Sequence, residues 1–210
     1  MVPDLTRLAQ RLRNSPPDRD ALLAASNQGE IHCIEHEGQR LAIKTAAGSG
    51  LRRRINAWAL QREDRAYARL QGMAGIPGWH GLIDQRWLVL DFIELRPFRD
   101  GAVGLRYFDQ LLALIREMHA RGVAHGDLKR KANLAIQRDG SPMLLDFGAS
   151  IVHQPGLHPL NQRVFQLLRQ TDLNAWVKLK YGGYDGVSEV DRGLLRRSWI
   201  ERGLTRLRQR

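Results

Sequence analysis

The sequence predicts an α+β fold built as two unequal lobes. Three observations carry this. The first half is strand-rich with one long helix, the second half is mainly helical, and the two meet at a short break at residues 94–97. The expected division is a sheet-rich N-lobe over residues 1–94 and a shortened helical C-lobe over residues 95–210, together one domain. A length of 210 residues suits a single compact domain or two small lobes around a cleft.

Each element has its own signal. Residues 5–13 read as a short helix, stopped by Asn14-Ser15-Pro16-Pro17. Residues 30–35 alternate apolar and polar side chains, as a half-buried strand does. Glu37-Gly38-Gln39 turns the chain, and residues 40–45 form the second strand of a hairpin. Residues 54–71 are helical, with apolar positions at Ile55, Trp58, Ala59, Tyr67 and Leu70, and Gly75-Ile76-Pro77-Gly78 ends the segment. Residues 87–93 are a mostly apolar strand and 96–104 a connector. Residues 105–121 form a strongly amphipathic helix that Gly122 caps. Short strands are expected at 133–137 and 143–145, around a turn at Asp139-Gly140. From Val152 onward helices dominate. Within that part, Thr171 or Asp172 reads as the cap of a new helix through Lys178, and Tyr181-Gly182-Gly183-Tyr184 as an ordinary loop.

Composition narrows the classes. The apolar fraction, 43%, is that of a folded protein rather than a disordered one. A single cysteine, Cys33, excludes an internal disulfide framework and a Cys-rich zinc site, and fits a cytoplasmic setting. No apolar h-region and no run of 18 apolar residues occurs, so neither a signal peptide nor a membrane-spanning helix is expected. The formal charge of +11 favours anionic partners. Part of it sits in residues 191–210, where seven arginines lie on an apolar skeleton that includes Leu194, Trp199 and Leu204. Such an amphipathic helix can pack on the domain, on an anionic membrane at its inner face, or on RNA. No RNA-binding motif accompanies it, so no specific nucleic acid is expected.

The chemistry concentrates in the second half. His125-Gly126-Asp127-Leu128-Lys129 follows the long helix, Asn133 opens the next strand, and Asp146-Phe147-Gly148 closes the one after. Two carboxylates and an amide thus come from adjoining loops at one end of a hairpin. Hard oxygen donors, few in number, are what a magnesium–phosphate site needs, because phosphate and water complete the shell. A carboxylate beside an acceptor hydroxyl can also take its proton.

In these motifs the chain resembles the protein-kinase superfamily. The resemblance covers roughly residues 28–150: Leu41-Ala42-Ile43-Lys44, the helix carrying Glu63, the strand Leu88-Val89-Leu90-Asp91-Phe92-Ile93, then H-G-D-L-K, Asn133 and D-F-G. Glu63 follows Lys44 by 19 residues and Asn133 precedes Asp146 by 13, both usual separations. The resemblance implies an ATP-dependent phosphotransferase with Mg2+. Lys44 would contact the α- and β-phosphates with Glu63 holding its ammonium, although Asp64 competes for that place. Asp127 would act on the acceptor hydroxyl and Lys129 would lie near the transferred phosphate. Asn133 and Asp146 would hold the metal. Leu90 would guard the adenine pocket, with backbone groups of Asp91 and Ile93 meeting the adenine edge. His125 and Phe147 would pack and shape the loops. Leu41 and Ile43 are read as sharing a face with Lys44, which turns the lysine inward.

Three departures stand out. Five residues separate Asp127 from Asn133 where the family pattern has four. Gly29 is the lone glycine of Ser26-Asn27-Gln28-Gly29, where a glycine-rich phosphate loop is expected. No A-P-E segment follows D-F-G, and 62 residues follow Gly148. The pattern is therefore similar to compact bacterial kinases, the RIO-like and lipopolysaccharide-core sugar kinases. The acceptor reads as Ser or Thr of a protein, with a core sugar on a phosphate-rich glycolipid as alternative. A pseudokinase or a basic binding module is the reading from another class.

Overall fold

The computed structural model describes residues 3–25, 29–99 and 103–196. Helix α1 (Leu5–Asn14) starts at Asp4, whose carboxylate accepts the Thr6 and Arg7 amides and so satisfies two N–H groups with no partner inside the helix. Strands β1 (Leu22–Ala25), β2 (Gly29–His36) and β3 (Gln39–Ala46) follow, then helix α2 (Gly50–Leu70), β4 (Trp79–Ile83) and β5 (Trp87–Asp91). They build one antiparallel sheet in the order β1-β2-β3-β5-β4. The β2–β3 turn is tight because Glu37 and Gly38 both take positive φ, 51° and 75°. That is the primed-turn geometry that matches strand twist.

Both faces of this sheet are covered. Leu41, Ile43 and Val89 pack with Leu8 and Leu12 of α1 on one face. Ala42 and Ala46 pack on the other face, against the core that holds Leu60, Tyr67 and Leu70 of α2. Side chains alternate along a strand, so Lys44 shares a face with Ala42 and Ala46, not with Leu41 and Ile43. The lysine points inward as expected, but toward α2, on the face opposite the one that Leu41 and Ile43 occupy.

The second half begins with β6 (Arg96–Pro97). This segment reads as a connector, yet it pairs with β8 (Leu134–Ile136), reached through α3 (Leu105–Ala120) and β7 (Val123–Ala124). Pro97 is tolerated because β6 is the edge of the three-stranded sheet β6-β8-β9, with β9 at Pro142–Leu144. Then come β10 (Ile151–Val152), which pairs with β7, and the helices α4 (Pro159–Tyr181) and α5 (Glu189–Arg192). The result is a sheet-rich N-terminal region and a helical C-terminal part, compatible with a kinase-like two-lobed fold. One core runs between them, from Leu60 and Leu70 of α2 through Leu111 and Ile115 of α3 to Trp176 of α4. Each such buried side chain contributes about 1.5–3 kcal/mol. Most of the Arg-rich segment at 191–210 lies outside the described residues, and no described helix is long and apolar enough to cross a membrane.

Candidate active site

Lys44 is the centre of the site. Its ammonium lies 2.9 Å from Glu63 Oε1 and 2.7 Å from Oε2, and 2.9 Å from Asp146 Oδ1. It thereby joins β3, α2 and the D-F-G loop, although Asp146 stands 102 residues away in sequence. Asp64, the competitor, instead accepts the Trp79 indole N–H at 2.8 Å.

Burial and charge act differently on the three groups. Burial opposes the charge on Lys44, but two carboxylates outweigh it and hold the lysine pKa above its ordinary value. At Glu63 complete burial dominates and pushes the carboxyl up. Lys44 and the Phe147 amide work against that, while Asp146 repels. Asp146 is less enclosed. Burial raises its pKa, but Lys44 and the Gly148 amide bring it below the ordinary carboxylate range.

The D-F-G loop is bent to present its carboxylate. Asp146 has φ 60°, a left-handed conformation that costs a non-glycine residue energy and persists only where its surroundings enforce it. Phe147, fully buried, supplies that enforcement by packing edge-on against Tyr67 at 4.9 Å and against His125 at 4.8 Å. Arg62 of α2 adds a strap that sequence reading missed. Its Nε donates to the Gly148 carbonyl at 3.1 Å, a second nitrogen donates to the same oxygen, and its guanidinium lies 4.6 Å over the Trp58 ring.

The catalytic-loop candidates are held by backbone and amide bonds. His125 Nε2 lies 2.9 Å from the Leu145 carbonyl, so it carries the proton, and Nδ1 accepts the Asp127 amide at 3.3 Å. Gly126 has φ 81°, and a Cβ there would come within 2.9 Å of the Ala149 carbonyl, so only glycine fits. Asn133 Nδ2 donates to the Asp127 carbonyl at 3.0 Å and reaches its carboxylate at 3.4 Å. The extra loop residue is absorbed by a 3-10 turn over Lys131–Asn133, closed by the Asn133 amide on the Arg130 carbonyl. With its N–H groups on Asp127, the Asn133 side-chain oxygen remains a donor for a cation. Asp146 and Asn133 thus suit Mg2+, which takes one or two protein oxygens beside phosphate and water. Among the described residues no group of three His, Cys, Asp or Glu forms a metal cage of its own.

A cleft of about 220 Å³ opens here, lined by Ile55, Trp58 and Arg62 of α2 and by Asp127, Asp146 and Gly148 across from them. Lys129 stands exposed on the loop after Asp127. Asp91 pairs with Leu41 on β3, three strand residues beyond the Lys44–Leu88 pair, or about 10 Å along the sheet. Its carboxylate bonds His80 and Gln39, and Ile93 lines a second groove with Arg40 and Phe92. Leu90 is buried in the core beside them. Gly29 starts β2 opposite Ala46, where a Cβ would meet the Thr45 carbonyl at 2.2 Å. Close strand approach, rather than a flexible turn, accounts for that glycine. Ser26, Asn27 and Gln28 lie outside the described residues.

A further residue anchors the whole loop. Asp172, fully buried within α4, accepts the His125 and Gly126 amides at 2.8 Å each and lies 3.0 Å from His119 Nε2. It is not a helix cap: α4 begins at Pro159, and the expected start near Thr171 is corrected. The signal was present in the apolar spacing Phe165, Leu168, Ala175, Trp176, which continues through position 172. Removing the carboxylate strands the buried His125 amide and the half-buried Gly126 amide. Asp172→Ala is expected to lower stability by about 3–5 kcal/mol, read as a fall in the urea midpoint.

No family model matches the chain. It is similar to the serine/threonine-protein kinase pim-2 of Danio rerio, 26% identical over 159 residues that make up 61% of this chain and 50% of that protein. It is also similar to the putative CBL-interacting protein kinase 27 of Oryza sativa subsp. japonica, at 29% identity over 61% of this chain and 35% of the relative. A third is the CBL-interacting serine/threonine-protein kinase 5 of Arabidopsis thaliana, at 37% over 39% of this chain and 18% of the relative. The chain spans half or less of the length of these curated relatives. Its relatives are protein kinases at low identity, which supports a place for this chain in the protein-kinase-like superfamily.

Proposed function

We propose that the chain transfers the γ-phosphate of ATP to a Ser or Thr hydroxyl of a protein, with residues 1–94 and 95–210 as the two lobes around the cleft. The observation that carries this is the Glu63–Lys44–Asp146 bridge beside Asp127. In this reading Lys44 binds the α- and β-phosphates, held by Glu63. The Asp91 and Ile93 backbone takes the adenine edge about 10 Å away. Asp146 and Asn133 would hold Mg2+, which would supply charge neutralisation to the phosphates. Asp127 accepts the hydroxyl proton as the oxygen bonds to the γ-phosphorus. The bond from that phosphorus to the bridging oxygen breaks, ADP leaves, and Lys129 offsets the charge on the transferred group. Little covalent work falls to the protein, so positioning and electrostatics dominate.

The relatives named as serine/threonine kinases favour a protein hydroxyl over a sugar. The test is the chemistry of the product. Protein incubated with γ-labelled ATP, Mg2+ and a Ser/Thr-rich acceptor is expected to give label that survives acid and is released by alkali. Label found only on a core oligosaccharide would move the acceptor to the sugar class.

A further inference from the structure

We infer that His80 is a positioning residue for the nucleotide: through the Asp91 carboxylate it fixes the strand end whose backbone takes the adenine edge. This rests on the phosphotransferase reading and adds a residue that acts one contact behind the adenine site. Asp91 is the last residue of β5, and Ile93 follows where the sheet has ended. A strand end frays unless its neighbours tie it. Three ties hold this one. The Asp91 amide donates to the Gly78 carbonyl at 2.8 Å, and the Phe92 amide donates to the Arg40 carbonyl at 3.2 Å. The Asp91 carboxylate supplies the third, with His80 Nε2 at 2.7 Å and the Gln39 side-chain amide at 3.2 Å, both on Oδ1.

The chain around His80 is shaped for that contact. β4 pairs Trp79 with Leu90 and Gly81 with Val89, so His80 is an extra residue in the ladder, a bulge. Bulges re-aim a side chain out of the strand's alternation. At position 78 a Cβ would come within 2.0 Å of Asp91 Oδ2, so glycine there leaves the carboxylate its seat. The His80 side chain is 10% exposed, and that of Asp91 40%. An enclosed imidazole on a carboxylate makes a short, charge-assisted bond, a firmer anchor than the exposed arginine pairs at Glu94. His80 lines neither the cleft at Asp146 nor the groove at Ile93, so its effect reaches the nucleotide through Asp91. A binding edge ordered before the ligand arrives spares the ordering cost of binding. Loosening it therefore shows in nucleotide affinity rather than in the chemical step.

ADP and inorganic tripolyphosphate separate the two ends of the nucleotide. Each is titrated with Mg2+ into the unaltered protein, His80→Phe and His80→Gln, beside steady-state kinetics with ATP. In His80→Phe the ring volume stays and the bond is lost. The Kd for ADP and the KM for ATP are expected to rise about tenfold, the order set by one hydrogen bond to a charged group. The Kd for tripolyphosphate and kcat are expected to move less than about twofold. His80→Gln keeps an N–H donor near the Nε2 position and is expected to bring ADP binding back to within about threefold of the unaltered protein. Gln39→Ala removes the longer of the two bonds and leaves His80 in place. It is expected to weaken ADP about threefold, and it decides the matter if His80→Phe fails to fold. ADP binding unchanged in His80→Phe, or in Gln39→Ala where that variant decides, overturns the inference. So does equal weakening of ADP and tripolyphosphate, which marks a general structural role, and so does absence of rescue by glutamine. ADP binding without any transfer from ATP by the unaltered protein overturns the phosphotransferase reading, while the titrations still decide on His80. Absence of both binding and transfer overturns both.

Discussion

Asp127→Ala is expected to reduce kcat by about a thousand-fold while the protein folds and binds MgATP with near-normal affinity. The size follows from the work assigned to the carboxylate. A positioned base contributes about 10²–10⁴-fold. The selectivity follows from geometry. Asp127 touches the fold through its backbone, with its amide on His125 and its carbonyl accepting Asn133 Nδ2. Alanine keeps both. Among the described residues the bond lost is the long 3.4 Å contact from Asn133 to the carboxylate. Steady-state kinetics with nucleotide titration separates the two effects. A parallel fall in MgATP affinity would place Asp127 among the nucleotide ligands instead.

Lys44→Met should be the more damaging change for the molecule as a whole. Glu63, 2% exposed, would lose its cation and remain beside Asp146. Leaving a buried charge unpaired costs about 3–5 kcal/mol. The variant is therefore expected to lose both phosphate transfer and stability. Glu63→Gln added to Lys44→Met should restore most of the stability and none of the activity.

The pH dependence has a definite sign. In the variant the Glu63 pKa, already raised by burial, loses the Lys44 attraction that opposed it. The folded state then holds a proton that the unfolded state releases, so stability falls as pH rises from the ordinary carboxylate range to the raised value. The unaltered protein behaves oppositely at Asp146, whose depressed pKa contributes stability above the ordinary carboxylate range and loses it as pH falls below. Urea midpoints at pH 5 and pH 8 measure the Glu63 effect in the variant, and the Asp146 effect is read from midpoints below about pH 4. Lys44→Met should be more stable at pH 5 than at pH 8.

Much of the candidate site was legible because its polar residues are clustered in short motifs. Asp127, Asp146 and Asn133 lie within 20 residues of one another on loops flanked by recognisable elements. Glu63 was readable by its spacing from Lys44, and the structure brings the two into contact. Less legible were features fixed by tertiary contact. Strand β1 is exposed along its length and reads Leu-Leu-Ala-Ala, without alternation. Strand β4 contains Gly81 and an irregular register against β5, which hides its period. Asp172 carries cap chemistry in its residue type, and only its burial under His125 and Gly126 reveals its use. Arg62 sat in a charged run where surface pairing is the ordinary expectation, yet its partner is a backbone carbonyl 86 residues away.

In the proposed reading, Lys44, Glu63, Asp146 and Asp127 form one phosphoryl-transfer centre. Its most direct test is a single-turnover experiment with γ-labelled ATP and Mg2+, following the label in the unaltered protein and in Asp127→Ala at equal nucleotide occupancy. Label leaving ATP for a hydroxyl acceptor in the first and remaining on ATP in the second is the predicted result. Label remaining on ATP in both, with nucleotide bound in both, would contradict the account and leave a nucleotide-binding protein without transfer.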